Sequence, residues 1–186
     1  MRIKTHKQLD DIFINRHSPR SFLKDPVSEE DLKTIFEAAH WSPSCFNEQP
    51  WLYAYAQGTS IEKFKDILVP FNWQWASKAP VLMILFAQKN FKRTGQPNRW
   101  ASFDAGASWM ALALQAEKLG YVTRAMGGFD EKQACTLADL DPDTYEAMAV
   151  IALGKEGHMD HLPKDLQTQE VISSRKDLQD IMIEIF

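Results

Sequence analysis

Three observations predict an α+β fold for this chain of 186 residues. Runs of strand length at residues 51–56, 81–87 and 147–153 are separated by segments with helical periodicity. The run VLMILFA at 81–87 is apolar without interruption, which marks a central strand covered on both faces. Residues 100–119 form one long stretch with the composition of a buried helix. No repeat, low-complexity tract or linker interrupts the order, so residues 1–186 are expected to form a single domain.

Residues 7–14 place Leu9, Ile12 and Phe13 at helical spacing and predict a first helix. Ser28 is an N-cap for the next, with Glu29, Glu30 and Asp31 placing negative charge in its first turn. That helix should reach about His40, burying Leu32, Ile35, Phe36 and Ala39. Ser42-Pro43-Ser44 ends it, because the residue before a proline is pushed out of helical geometry.

Residues 51–56 (WLYAYA) read as a strand, 61–68 as a helix and 81–87 as the buried strand. The polar stretch 89–98 (KNFKRTGQPN) is a loop. The helix at 100–119 is closed by Gly120; it is rich in Ala and apolar around much of its circumference, as in a core helix or one packed on a partner subunit. A brief strand at 121–124 leads to a tight turn at 126–129, and Asp130 caps a short helix with Ala134, Leu137 and Leu140. A last strand at 147–153 ends at Gly154, and a polar tail follows until the apolar residues of 178–183.

Composition narrows the partners. A formal net charge of −4 argues against nucleic acid or an anionic membrane as the main partner. The longest apolar run, residues 79–87, contains Pro80 and is less than half a membrane span. The N-terminal stretch MRIKTHKQLDD has no apolar core, so no secretion signal is expected. Cys45 and Cys135 are the two cysteines, far apart and without metal-like spacing, which suits a reducing cytoplasm rather than a disulfide framework. His158 and His161 lie three apart, but no carboxylate or Cys is placed to complete a metal site, so none is expected.

The chain has no GxGxxG, no GxxxxGK[ST] and no GxSxG. Four other segments stand out. Arg16-His17-Ser18-Pro19-Arg20 groups two guanidiniums, an imidazole and a hydroxyl, with Pro19 holding them out of a regular helix. Guanidiniums suit phosphate because they donate parallel hydrogen bonds and keep their charge. SPSCFNEQPW at 42–51 sets hydroxyl, thiol and amide groups between two prolines. Ala125-Met126-Gly127-Gly128-Phe129 ends a strand with paired glycines, which let backbone approach a ligand. Arg175-Lys176 adds two cations in the tail. Taken singly, each also reads as ordinary structure: a solvated loop, a helix-to-strand connector, a tight turn and exposed charge.

Taken together and in order, the four segments resemble the nitroreductase family of FMN-dependent oxidoreductases. RHSPRSF is similar to the family's N-terminal phosphate motif, and SPSCFNEQPW to its P-S-[ST]-x-N-x-Q-P-W loop. Phe71-Asn72-Trp73-Gln74-Trp75 ahead of Ala79-Pro80 resembles the Asn-containing stretch before its central strand. DAGASWMALALQAEKLGYVTRAMGGFD is similar to its core helix, strand and glycine turn, and LPKDLQTQEVISSRKDL to the tail of its shorter members. The resemblance spans almost the whole chain.

It implies a central mixed, mostly antiparallel sheet flanked by helices, in an interlocked homodimer with FMN at the subunit interface. By position, Arg16, His17, Ser18 and Arg20 would hold the phosphate, ribityl chain and pyrimidine edge, with Arg175 and Lys176 returning to the phosphate. Asn72 would bond the pyrimidine side. Met126, Gly127 and Gly128 would place backbone near the hydride-accepting nitrogen. Pro43, Ser44, Cys45 and Asn47 match the loop that reaches the flavin from the second subunit.

The implied reaction is a ping-pong transfer of hydride from NADH or NADPH to a nitroaromatic, a quinone or a related acceptor. The scheme requires no catalytic acid or base. Phe71, Trp73, Trp100 and Phe103 are candidates to border the pocket. Two departures matter: Cys45 stands where many members have Ser or Thr, and Trp75 where some longer members have Lys. The rival readings are a non-catalytic flavin-binding module, and a member with atypical chemistry such as dehalogenation or flavin fragmentation.

Overall fold

The computed structural model describes residue 4 and residues 6–185, so the N-terminal stretch read for a secretion signal lies partly outside the described residues. Strands β1 (Trp51–Gln57), β2 (Val81–Gln88), β3 (Val122–Met126) and β4 (Tyr145–Gly154) form one sheet in the order β1-β2-β4-β3. All three pairings are antiparallel. Every residue of β2 except Gln88 is buried, as its unbroken apolar run requires. Leu82, Ile84 and Phe86 point into one core with Phe22, Trp75 and Ala134, while Val81, Met83, Leu85 and Ala87 point into a second with Leu32, Ile35 and Leu112. Between Leu85 and Phe86 the register slips past Met148, a bulge that bends β4.

Helices α1 (Ile12–Asn15), α2 (Glu29–His40), α3 (Pro70–Ala76), α4 (Ala101–Lys118), α5 (Glu131–Leu137) and α6 (Lys164–Gln167) flank this sheet. The α2 start matches expectation, with the Ser28 hydroxyl accepting the Asp31 N–H at 3.0 Å. On α4 the small residues Ala105, Ser108 and Ala116 are fully buried, which lets α2 and the sheet approach closely. Tyr53 Oη lies 3.0 Å from Ser108 Oγ, which donates to the Ala39 carbonyl at 3.3 Å, tying β1, α4 and α2 together. One side of α4 stays open: Phe103 and Met110 are exposed.

Some expected elements differ in extent. Of residues 7–14, only the end is helical, because Leu9 and Phe13 are exposed and lack a surface to bury against. Instead of a helix at 61–68, a 3₁₀ segment spans Gly58–Phe64 and buries Ile61 and Phe64, a three-residue spacing that suits its tighter turn. The strand expected at 121–124 starts at Val122 and continues to Met126, since it pairs with β4 as far as Val150. Helix α3 was unassigned by periodicity; it opens with Pro70 in the first turn, where a missing N–H costs nothing.

Candidate functional site

The segment after α1 is held as an extended ribbon beside the exit of β4. Leu23 N–H donates to the Lys155 carbonyl at 2.9 Å, and Gly157 N–H to the Ser21 carbonyl at 2.9 Å. The Ser21 hydroxyl donates to the His158 carbonyl at 2.7 Å. Pro19, Ser21 and Phe22 are buried, which fixes the residues between and before them at the surface. The result is a cavity of about 780 Å³ bounded by residues 16–20, Arg124, residues 156–159, residues 169–173 and Arg175.

Four guanidiniums line this cavity, from Arg16, Arg20, Arg124 and Arg175, against the two carboxylates of Glu156 and Glu170. Arg16 donates to the His17 carbonyl and the Ser18 hydroxyl, both at 3.3 Å. His17 faces the Asn15 carbonyl through Nδ1 at 3.1 Å and Glu156 through Nε2 at 3.0 Å. Glu170 accepts from both the Arg20 backbone N–H and its guanidinium, the latter at 3.0 Å. Arg20 Nε is buried and has no hydrogen-bond partner among the described residues. The Arg124 guanidinium donates to the Ser18 carbonyl and lies 5.5 Å above the centroid of the Trp75 ring.

Burial, and then the charge of Arg175, lowers the pKa of Arg16, with Glu117 opposing. Burial, and then Arg20, lowers that of Arg124, with Glu170 opposing. Glu117 is pushed up by burial against the pull of His17 and Arg16. Guanidiniums stay charged under such shifts. A cavity of this kind therefore suits an anionic ligand of moderate size, a phosphate monoester above all.

The glycine turn sits at the end of β3. The Gly128 carbonyl accepts from Asn72 Nδ2 at 3.0 Å and from Val69 N–H at 3.1 Å. A Cβ on Gly128 would lie 2.7 Å from Asn72 Nδ2, so close approach requires glycine there. Gly127 is different: a Cβ on it would meet nothing within 4 Å, and the residue is exposed. Met126 is buried.

The loop at 43–50 is strained and pinned. Phe46, Asn47 and Gln49 have φ of 53°, 56° and 50°, a left-handed conformation that costs a non-glycine residue about 1–2 kcal/mol. The Ser44 hydroxyl accepts the Gln49 N–H at 2.9 Å, and Asp104 on α4 accepts the Cys45 N–H at 3.0 Å. Asp104 is 3% exposed, an anchoring carboxylate inside the fold. The loop thereby presents Phe46, 80% exposed and edge-on to Phe91, to the outside. Strain held by surrounding structure is a mark of functional loops.

Of the residues singled out in the sequence, Arg16, His17, Ser18, Arg20 and Arg175 meet at one cavity. Asn72 and Gly128 meet each other, with Met126 and Gly127 adjoining. Pro43, Ser44, Cys45 and Asn47 lie apart from that cavity, as does Lys176, which is exposed in the tail. Phe71, Trp73, Trp100 and Phe103 do not line it; Phe71, Trp100 and Phe103 are exposed and Trp73 packs against the core. Sequence reasoning missed Arg124, Glu156 and Glu170. The one signal for Arg124 was a charge in a short strand that is otherwise apolar or small. Among the described residues no cluster of His, Cys, Asp or Glu is arranged to hold a metal ion, and no helix is long and apolar enough to cross a membrane.

Comparison with known proteins converges on one group. The profile described as the nitroreductase family matches residues 14–69 and 54–155. A crystal structure described as an oxidoreductase containing FMN is 36% identical, superposes with a TM-score of 0.91, and covers 98% of this chain and 94% of its own. An NADH dehydrogenase of Thermus thermophilus is 28% identical over 80% of this chain and 88% of its own length. YdgI of Bacillus subtilis, named as an NAD(P)H nitroreductase, is 25% identical over 88% of this chain and 97% of its own.

The Asp104 anchor has a direct consequence. Asp104→Ala leaves the Cys45 N–H without its acceptor and should cost about 1–3 kcal/mol in urea denaturation. Amide hydrogen exchange at residues 45–49 should accelerate more than in the sheet. Equal protection of the loop in both proteins would contradict the anchor.

Proposed function

The chain belongs to the nitroreductase family, and from that premise we propose that it is an FMN-dependent oxidoreductase that uses NADH or NADPH to reduce nitroaromatics, quinones or related small acceptors. The cavity lined by four guanidiniums and two carboxylates carries this reading. Its volume suits a cofactor, and its excess of fixed positive charge suits a phosphate monoester carrying about −1.5 to −2 charges. The buried Nε of Arg20 is a donor with no partner among the described residues. These residues fit FMN.

In this reading Arg16, His17, Ser18, Arg175 and Lys176 bind the phosphate and ribityl end, and Arg20 and Asn72 the pyrimidine edge. Gly127 and Gly128, with Met126 behind them, let backbone approach the ring. FMN supplies the ring that takes a hydride from the nicotinamide and passes it to the acceptor. The protein's part is to bind, orient and shield, and no side chain is assigned as catalytic acid or base.

The loop bearing Pro43, Ser44, Cys45 and Asn47 lies away from the cavity of its own chain, which supports a homodimer in which it closes the partner's site. Exposed apolar residues point the same way. Phe103 and Met110 lie on α4, Trp41 and Phe46 in the segment after α2, and Ile181, Met182 and Ile183 in the tail, all open in one chain. The whole chain, residues 1–186, acts as one flavin-binding domain. Two unpaired cysteines suit a reducing cytoplasm.

Anaerobic addition of nicotinamide to the FMN-loaded protein tests the reading. The visible flavin band should bleach with NADH, NADPH or both, and return when a quinone or nitroaromatic is added. A band that stays with both nicotinamides would sink it. Arg16→Ala removes a charge-assisted contact, worth about 1.5–3 kcal/mol, and should weaken FMN binding by about tenfold or more in a fluorescence titration. Unchanged affinity would remove Arg16 from the site.

A further inference from the structure

Arg124 lines the four-guanidinium cavity, but no part of FMN is assigned to it. It sits on β3 between apolar or small neighbours, where a strand of this kind needs no cation. Its guanidinium is fixed rather than free, donating to the Ser18 carbonyl and resting on the face of Trp75, which itself stacks on Phe22. That platform is buried at 1% exposure, so the charge has little freedom to move into solvent. Glu170, the carboxylate whose charge favours the guanidinium of Arg124, is committed to Arg20 through its backbone and side chain. The positive charge of Arg124 is therefore only partly neutralised.

Its position along the strand is informative. Arg124 precedes Gly127 by three residues, about 10 Å at the rise of a β-strand. It also touches the Ser18 carbonyl, within the loop that ends at Arg20. It thus stands between the phosphate-binding loop and the glycine turn, close enough to feel the charge of Arg20, the residue that the FMN reading assigns to the pyrimidine edge. Two-electron reduction of a flavin adds negative charge on the pyrimidine side of its ring. A fixed cation in a half-buried site favours the form carrying more negative charge, and does so more strongly than in water.

We propose that Arg124 is a positioning and tuning residue that holds the Ser18 carbonyl and makes the site bind reduced FMN more tightly than oxidised FMN, raising the cofactor's midpoint potential. This rests on the FMN reading above. The uncharged Trp75 then serves as the platform for a cation contributed by a different strand.

Two variants test it. Arg124→Gln keeps a donor for the Ser18 carbonyl and removes the charge; Arg124→Lys keeps the charge and loses the planar fork. FMN affinity is measured by fluorescence titration and the midpoint potential by equilibration against reference dyes. With glutamine, both redox forms of FMN should bind more weakly, the reduced form losing about tenfold more than the oxidised. The preference for reduced FMN should fall about tenfold, a drop of about 30 mV for a two-electron couple. The lysine variant should keep the wild-type potential. A glutamine variant with wild-type potential overturns the proposal, as does a lysine variant whose potential falls as far as that of glutamine. Should the glutamine variant fail to fold, the lysine variant alone decides. Wild-type protein with no affinity for FMN overturns the functional reading as well, which separates that failure from this one.

Discussion

Like charges crowded around one space are the constraint that organises this molecule. Arg16, Arg20, Arg124 and Arg175 face a common cavity, and two of them feel the charge of a neighbour. Arg16 feels Arg175 and Arg124 feels Arg20, on top of the penalty each takes from burial. Carboxylates offset part of this, Glu117 at Arg16 and Glu170 at Arg124 and Arg20. An anion bound among these groups would offset that repulsion. The proposed phosphate ligand is that anion, and its binding would relieve a repulsion the fold has already taken on.

The rest of the architecture holds these groups in place. A strand buried on both faces, β2, fixes β4, and β4 fixes β3, which carries Arg124 and ends in the glycine turn. The same β4 continues into residues 155–158, against which the arginine ribbon is laid by backbone hydrogen bonds. Trp75, at the end of α3, fills the core below and offers its ring face above. The cations are thus mounted on the most buried part of the protein, although they themselves face outward.

Much of this was legible in the sequence where the signal was local. The unbroken apolar run of β2, the Ser28 cap and the Gly120 stop each mark an element by themselves, and Gly120 does adopt a φ of 80°. The four proposed site segments stood out because guanidiniums, paired glycines and proline-bounded polar loops are conspicuous. What escaped was non-local. Arg124 looks unremarkable until β3 is laid beside the ribbon, and Glu170 is one acid in a polar tail until it folds onto Arg20. The tight turn at 58–64 and the short α1 escaped for a related reason. Helical spacing was present, but the burial that would sustain a longer helix was not.

A crystal structure of the protein grown with FMN tests the central claim most directly. The account predicts the FMN phosphate between Arg16, Ser18 and Arg175, with residues 43–47 of a second subunit against the ring. FMN bound away from the four-arginine cavity, or there with the loop of the same chain upon it, would contradict it.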